Sequence, residues 1–227
     1  MITYVGTYTA GNNSEGIYVF DFDVDVGALE LRSTTSGVIN PSFLDLHPSG
    51  CFLYAVGETG GDDEGGTVTA YSIDAGSGAL TELNTVSSVG SGPCHISIDG
   101  TGAYAFVANY GGGSVCMLPI ADDGSVGEAS DFIQHEGSSV LPRQSGPHAH
   151  SANVGPENRY LFVPDLGLDK VLIYEIDFGA GKLIPAQQPW AAITPGHGPR
   201  HFDVHPSRKY AYAINEIGNT VTTTVAA

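Results

Sequence analysis

Basic residues are scarce in this sequence. Lysine and arginine together number 8 among 227 residues, against 25 aspartates and glutamates, for a formal net charge of −17. That balance excludes nucleic acid as a partner, because phosphate binding needs clustered Lys and Arg. Long apolar runs are missing as well. No stretch approaches the roughly 18 residues of a membrane helix, so no membrane partner is expected. Cysteine is rare: Cys51, Cys94 and Cys116 are odd in number and lack CxxC spacing. A disulfide framework is thereby disfavoured and a reducing cytoplasm fits. The opening Met1-Ile2-Thr3-Tyr4-Val5-Gly6 has neither the charged leader nor the apolar core of a secretory signal, so cytoplasmic location is the expectation. Without a signal, the sequon Asn12-Asn13-Ser14 carries no weight. Lysine occurs only three times, and Asp outnumbers Glu 15 to 10. Such a surface repels itself at low salt and is tolerated where salt screens it. A halophilic, high-salt cytoplasm is therefore expected; the alternative is an ordinary acidic protein.

What is present argues for a folded chain of short strands. There are 11 Tyr, 9 Phe and many aliphatic residues in alternating runs, which excludes disorder. The 31 Gly and 13 Pro call for many turns rather than long helices. Four segments then repeat. They are Asn40-Pro41-Ser42-Phe43, Gly92-Pro93-Cys94-His95, Gly146-Pro147-His148-Ala149 and Gly198-Pro199-Arg200-His201, with prolines spaced by 52, 54 and 52 residues. A turn follows each, such as His47-Pro48-Ser49-Gly50 or His205-Pro206-Ser207-Arg208. Next come an aromatic apolar run, a Gly-rich or polar turn, and a third alternating run such as Val171-Leu172-Ile173-Tyr174.

Four short strands per unit of about 50 residues predict an all-β fold, a β-propeller of stacked four-stranded blades. Tyr4–Thr7 and Gly16–Phe20 read as the second and third strands of a blade whose first strand lies elsewhere. Residues 1–227 then make a single propeller domain with about four to five blades' worth of chain, incomplete at its C-terminus. Exposed sheet edges of an open arc predict self-association.

In a propeller the innermost strands line a central channel, and their starts cluster at one mouth. The residue after each proline is Ser42, Cys94, His148 or Arg200. The next is Phe43, His95, Ala149 or His201, and the third Leu44, Ile96, His150 or Phe202. Five after the proline stand Leu46, Ile98, Ala152 and Val204, which reads as core. His148 and Arg200 are thereby predicted at one height on adjacent blades, facing a shared cavity. A second column holds Glu58, Tyr110, Leu166 and Glu216, so Glu216 can pair with Arg200 or flank a ligand. Before it stand Gly57, Asn109, Asp165 and Asn215, whose polar members are expected to bond turn backbone.

Several of these motifs resemble one family. Tyr4-Val5-Gly6-Thr7-Tyr8-Thr9, Ala108-Asn109-Tyr110-Gly111-Gly112-Gly113-Ser114-Val115, Gly146-Pro147-His148-Ala149-His150-Ser151, Asp165–Val171 and Gly198-Pro199-Arg200-His201-Phe202 are similar, in order and spacing, to the lactonase seven-bladed propellers. That family contains propeller-type 6-phosphogluconolactonases and carboxy-muconate lactonising enzymes, and its members are longer chains. The resemblance implies a seven-bladed ring and a site at His148, Arg200 and Glu216, with a further arginine from later blades.

These residue types suit a lactone. Hydrolysis needs a base for water, which His148 or Glu216 can supply. It also needs a cation for the oxyanion or a substrate phosphate, which Arg200 can supply. His150, His95 and His201 are candidates for substrate contact; packing is the alternative for each. His47 and His205, in the repeated His-Pro-Ser turns, read as structural. The pair His148/His150 and the spacing of His197, His201 and His205 do not build a zinc site on strands, so no metal is expected. Gly111–Ser114 is no P-loop, and no GxSxG elbow occurs, so neither a nucleotide, a covalent serine nor any cofactor is expected. The function implied by the resemblance is metal-independent hydrolysis of 6-phosphogluconolactone to 6-phosphogluconate, a step of the pentose phosphate route. The alternatives are a muconate-type lactonising isomerase and a non-catalytic binding platform.

Overall fold

The computed structural model describes residues 1–11, 13–60 and 65–225, so Asn12 of the sequon lies outside the described residues. Among those described there is no α-helix, only one 3₁₀ turn at Pro142–Gln144, and no helix long and apolar enough to cross a membrane. Everything else regular is strand. The first sheet is β1 (Ile2–Val5), β2 (Ile17–Asp23) and β3 (Ala28–Thr35). The second is β4 (Leu44–Leu46), β5 (Phe52–Gly57), β6 (Thr67–Ile73) and β7 (Leu80–Ser87). The third is β8 (Pro93–Ile98), β9 (Tyr104–Asn109), β10 (Ser114–Pro119) and β11 (Asp131–Gln134). The fourth is β12 (Asn153–Val154), β13 (Tyr160–Asp165), β14 (Lys170–Asp177) and β15 (Lys182–Ala192). The fifth is β16 (Pro199–Val204), β17 (Tyr210–Asn215) and β18 (Thr220–Val225). Each sheet is an antiparallel meander whose strands pair in chain order. The first sheet begins where the others have their second strand, as the opening motif predicts.

The burial pattern explains why the middle strands read as continuous apolar runs. From the second residue on, β5 and β9 are buried throughout, because the second and third sheets are each sandwiched between two neighbours. Alternate residues then serve opposite cores. In β9, Ala105 and Val107 join Tyr54, Val56 and Val68 of the second sheet. Phe106 and Ala108 join Leu161, Val163 and Tyr174 of the fourth. Outer strands such as β7 carry mostly exposed residues and a weaker pattern.

Polar latches connect successive sheets. The Tyr4, Tyr54 and Tyr104 hydroxyls donate to the carbonyls of Gly78, Gly124 and Phe178, in the outer turns of the next sheet, at 2.9, 2.9 and 3.1 Å. His47 and His205 bond Ser49 and Ser207 within their own turns at 2.8 Å, a structural job. One core assignment needs correction. Ala152 is buried but Leu46 is 47 % exposed, because β4 ends there and the following turn runs over the surface.

Candidate functional site

Backbone hydrogen bonds fix which residues share a height at the mouth. The amides of Glu58, Tyr110 and Glu216 donate to the carbonyls of Asn40, Gly92 and Gly198. In the fourth sheet the Leu166 amide donates to His148. His148 is therefore the counterpart of Asn40, Gly92 and Gly198, and His150 is the counterpart of Ser42, Cys94 and Arg200. Register agrees: Pro93 pairs with Asn109, Pro199 with Asn215 and Ala149 with Asp165. The alignment on Gly146-Pro147 is thus displaced by two residues, and the column after the proline contains His150 rather than His148. Nor does a continuous strand start there. Pro164, opposite, accepts from the His150 amide but has no N–H to return, and the His150 carbonyl takes the Cys94 thiol at 3.2 Å instead.

Glu216 is the hub of the cluster. Its Oε1 meets Arg143 Nη2 at 2.5 Å, and its Oε2 meets Arg200 Nε at 3.1 Å and His150 Nε2 at 3.4 Å. Partial burial pushes this carboxyl up, but the hydrogen bond and charge of Arg143, with His150 and Arg200, outweigh burial and hold it below its ordinary value. One carboxylate between two guanidiniums leaves a positive charge on this side of the mouth. Burial, together with Arg200, draws His150 down to about 4, so its imidazole is neutral at neutral pH.

Arg143 is the residue that sequence reasoning missed. It sits on the 3₁₀ turn in the irregular stretch between β11 and β12, where no repeat column exists. It supplies a second guanidinium from this chain, whereas the resemblance places a further arginine on later blades. Its Nη2 also donates to the Tyr110 hydroxyl at 3.1 Å.

Tyr110 connects this group to His148. The two rings stack at 4.6 Å, and His148 Nδ1 lies 2.9 Å from the Tyr110 carbonyl. A carbonyl only accepts, so in the neutral ring the proton sits on Nδ1 and the lone pair on Nε2. The backbone of His148 is fixed as well, its amide donating to buried Asp165 Oδ1 at 2.8 Å. Gly113, with φ +62°, brings the β9–β10 turn so close to Pro147 that a side chain there would strike its carbonyl.

His95 and His201 pack as a layer beneath. Their rings meet edge-on at 5.4 Å, and His95 lies 4.2 Å from the Phe43 ring. His95 Nδ1 accepts the Ala152 amide at 3.3 Å, and burial followed by the neighbouring His201 and His150 pulls its pKa down to about 3. Arg200 donates to His201 Nε2 at 3.3 Å. Farther along the inner strands lies a cavity of about 430 Å³, lined by Phe43, Asp45, His95, Asn153, Phe162 and Asp203 among others. It has two aspartates and no Lys or Arg, so the anion-receptive chemistry belongs to the mouth.

The buried neutral imidazoles have a measurable consequence. An unfolded histidine accepts a proton near pH 6.5, whereas folded His95 and His150 resist it until about 3 and 4. Between those values the unfolded chain binds more protons, so stability falls as pH drops from about 6.5 toward 4. The urea midpoint is expected to be lower at pH 5 than at pH 7.5. An unchanged midpoint would mean that these rings accept protons in the folded state.

Similarity to known proteins agrees with the architecture. Residues 2–226 match the family model described as Lactonase, 7-bladed beta-propeller. This chain belongs to that lactonase propeller family. It is 38 % identical over 220 residues to a 6-phosphogluconolactonase of Bacillus subtilis, covering 97 % of this chain and 61 % of that protein. It is 36 % identical to a 6-phosphogluconolactonase of Formosa agariphila, covering 96 % and 62 %. The structure of the Pseudomonas aeruginosa periplasmic gluconolactonase superposes with a TM-score of 0.93 at 36 % identity, over 99 % of this chain and 64 % of that one. This lactonase-family chain thus spans somewhat over three fifths of the length of the relatives it matches.

Proposed function

We propose that the mouth of this propeller hydrolyses lactones, with 6-phosphogluconolactone as substrate. One observation carries the reading: a carboxylate grips two arginines at 2.5 and 3.1 Å, and one of them, Arg143, bonds the hydroxyl of Tyr110, whose ring stacks on a His148 imidazole with no hydrogen-bond partner at Nε2 among the described residues. The names of the Bacillus and Formosa relatives support the substrate.

In this reading His148 Nε2 takes a proton from water as the water oxygen attacks the lactone carbonyl carbon. The carbonyl π electrons move to oxygen, and Arg200 stabilises the resulting oxyanion. Collapse breaks the ring C–O bond, and the departing oxygen recovers the proton from the imidazolium, leaving the hydroxy acid. Arg143 offers its remaining N–H groups to the substrate phosphate. Glu216 holds both guanidiniums in place. A base and an anion holder suffice for an activated ester.

The test is acid release from 6-phosphogluconolactone by the full-length protein, followed in a pH-stat against the spontaneous rate, with an Arg200→Ala variant alongside. No acceleration over the spontaneous rate would remove the reading.

The surface charge and the thiols extend the proposal. With a net charge of −17, the melting temperature is expected to rise from dilute buffer to molar KCl as repulsion is screened. A fall with salt would end the halophilic interpretation. Cys51, Cys94 and Cys116 are free thiols, which supports a cytoplasmic site of action. Recovery of the protein in a periplasmic fraction would refute it.

A further inference from the structure

The column that contains Glu216 also contains Glu58, on the second sheet, and the two have opposite surroundings. Both present their amides to the carbonyl at the start of their own inner segment, Gly198 for Glu216 and Asn40 for Glu58. Glu216 is neutralised by two arginines. Glu58 has no cation within ion-pair distance among the described residues. Its Oε2 instead accepts the Tyr8 hydroxyl at 2.7 Å and the Ser42 hydroxyl. A carboxylate has about four acceptor positions, and Glu58 Oε1 accepts nothing among the described residues. The side chain is half-buried, so it is reachable from the mouth.

We propose that Glu58, with Ser42 and Tyr8, forms a hydroxyl-binding subsite that holds the polyol part of a ligand whose anionic group lies on Arg143. A half-buried carboxylate ringed by hydroxyls selects O–H donors and repels anions. Cys94 stands between the two groups. It occupies, on the intervening third sheet, the socket that holds Ser42 on the second and Arg200 on the fifth, and burial followed by the charge of Glu58 pushes its thiol up to about 12. A ligand with one anionic end and several hydroxyls satisfies both sides. A ligand with carboxylates at both ends and no hydroxyl meets Glu58 unfavourably. The inference rests on the proposed lactonase reading for its substrate class, and selects a polyhydroxylated lactone over a muconate-type one.

The experiment separates the two proposals. D-Sorbitol 6-phosphate and hexyl phosphate carry the same phosphate on a six-carbon chain, with and without hydroxyls. Titration calorimetry on the full-length protein is expected to show preference for sorbitol 6-phosphate, and Glu58→Ala is expected to cut that preference about tenfold or more. Glu58→Gln keeps the shape and one acceptor, so its ratio is expected to lie between. It carries the test if the alanine variant does not fold. A wild-type protein without the preference, or variants that keep it in full, would overturn the subsite. A preference that depends on Glu58 in a protein that accelerates no lactone hydrolysis would leave the subsite standing and remove only the lactonase reading.

Discussion

Replacing Arg200 with alanine is expected to lower kcat/KM for 6-phosphogluconolactone by about a hundredfold or more in the full-length protein, the size seen when one oxyanion-stabilising donor is removed. Two effects add. The oxyanion loses its guanidinium, and Glu216 Oε2 loses the 3.1 Å partner that shares it with His150, leaving that carboxylate with Arg143 as its one guanidinium among the described residues. Folding is expected to survive, because the Arg200 side chain is half-exposed and an ion pair of that exposure contributes little to stability. Arg200→Lys keeps a charge but not the planar fork, and is expected to recover only part of the loss. Turnover unchanged in Arg200→Ala would sink the catalytic reading. A loss of turnover that tracks a loss of folding would show a structural ion pair instead.

The second large effect concerns stability. Asp165 is completely buried. Its Oδ2 meets His135 Nδ1 at 2.7 Å, and its Oδ1 accepts the amides of His148, Gly167 and Leu168 at 2.8, 3.0 and 3.1 Å. Asp165→Ala removes the carboxylate from these four donors in a dry environment, and only the Leu168 amide keeps a second acceptor, the residue 165 carbonyl at 3.3 Å. Urea denaturation is expected to show a loss of about 3–5 kcal/mol, because each buried donor left unsatisfied costs about 1–3 kcal/mol. A loss below about 1 kcal/mol would mean that water or a local shift replaces the carboxylate. Because one of the four donors is the His148 amide, whatever Asp165→Ala protein remains folded is expected to have a misplaced imidazole as well.

The architecture was legible because each blade repeats one solution to one packing problem. Middle strands covered on both faces must be continuously apolar, and tight turns must carry Gly, Pro, Asn or Asp, so β5, β9 and β13 stand out by composition alone. The site was legible only where the repeat runs true. The Gly146-Pro147 pair mimics Gly92-Pro93 in letters, but pairing is decided by β13, where Leu166 bonds His148 and Ala149 bridges Asp165. The structural steps between Asn40, Gly92, His148 and Gly198 are 52, 56 and 50 residues. The longer step ends in the irregular segment that carries Arg143. A residue on a non-repeating turn has no column to betray it, and its partner Tyr110 is 33 positions away in sequence. Asp165 showed the reverse. Its expected bonds to turn backbone are present, and its link to His135 could not be read from a residue in an unrelated loop.

The shared backbone at the mouth has one more implication. Ser42, Cys94, His150 and Arg200 occupy the same socket on four sheets, so that position accepts a hydroxyl, a thiol, an imidazole or a guanidinium while the next strand, β5, β9, β13 or β17, keeps its pairing with the third. The residues that build the blades and the residues that meet a ligand are drawn from separate positions. New specificity in such a molecule can arise by single exchanges around the rim, each nearly independent of the interior, and the scaffold is free to keep its stability while its chemistry drifts.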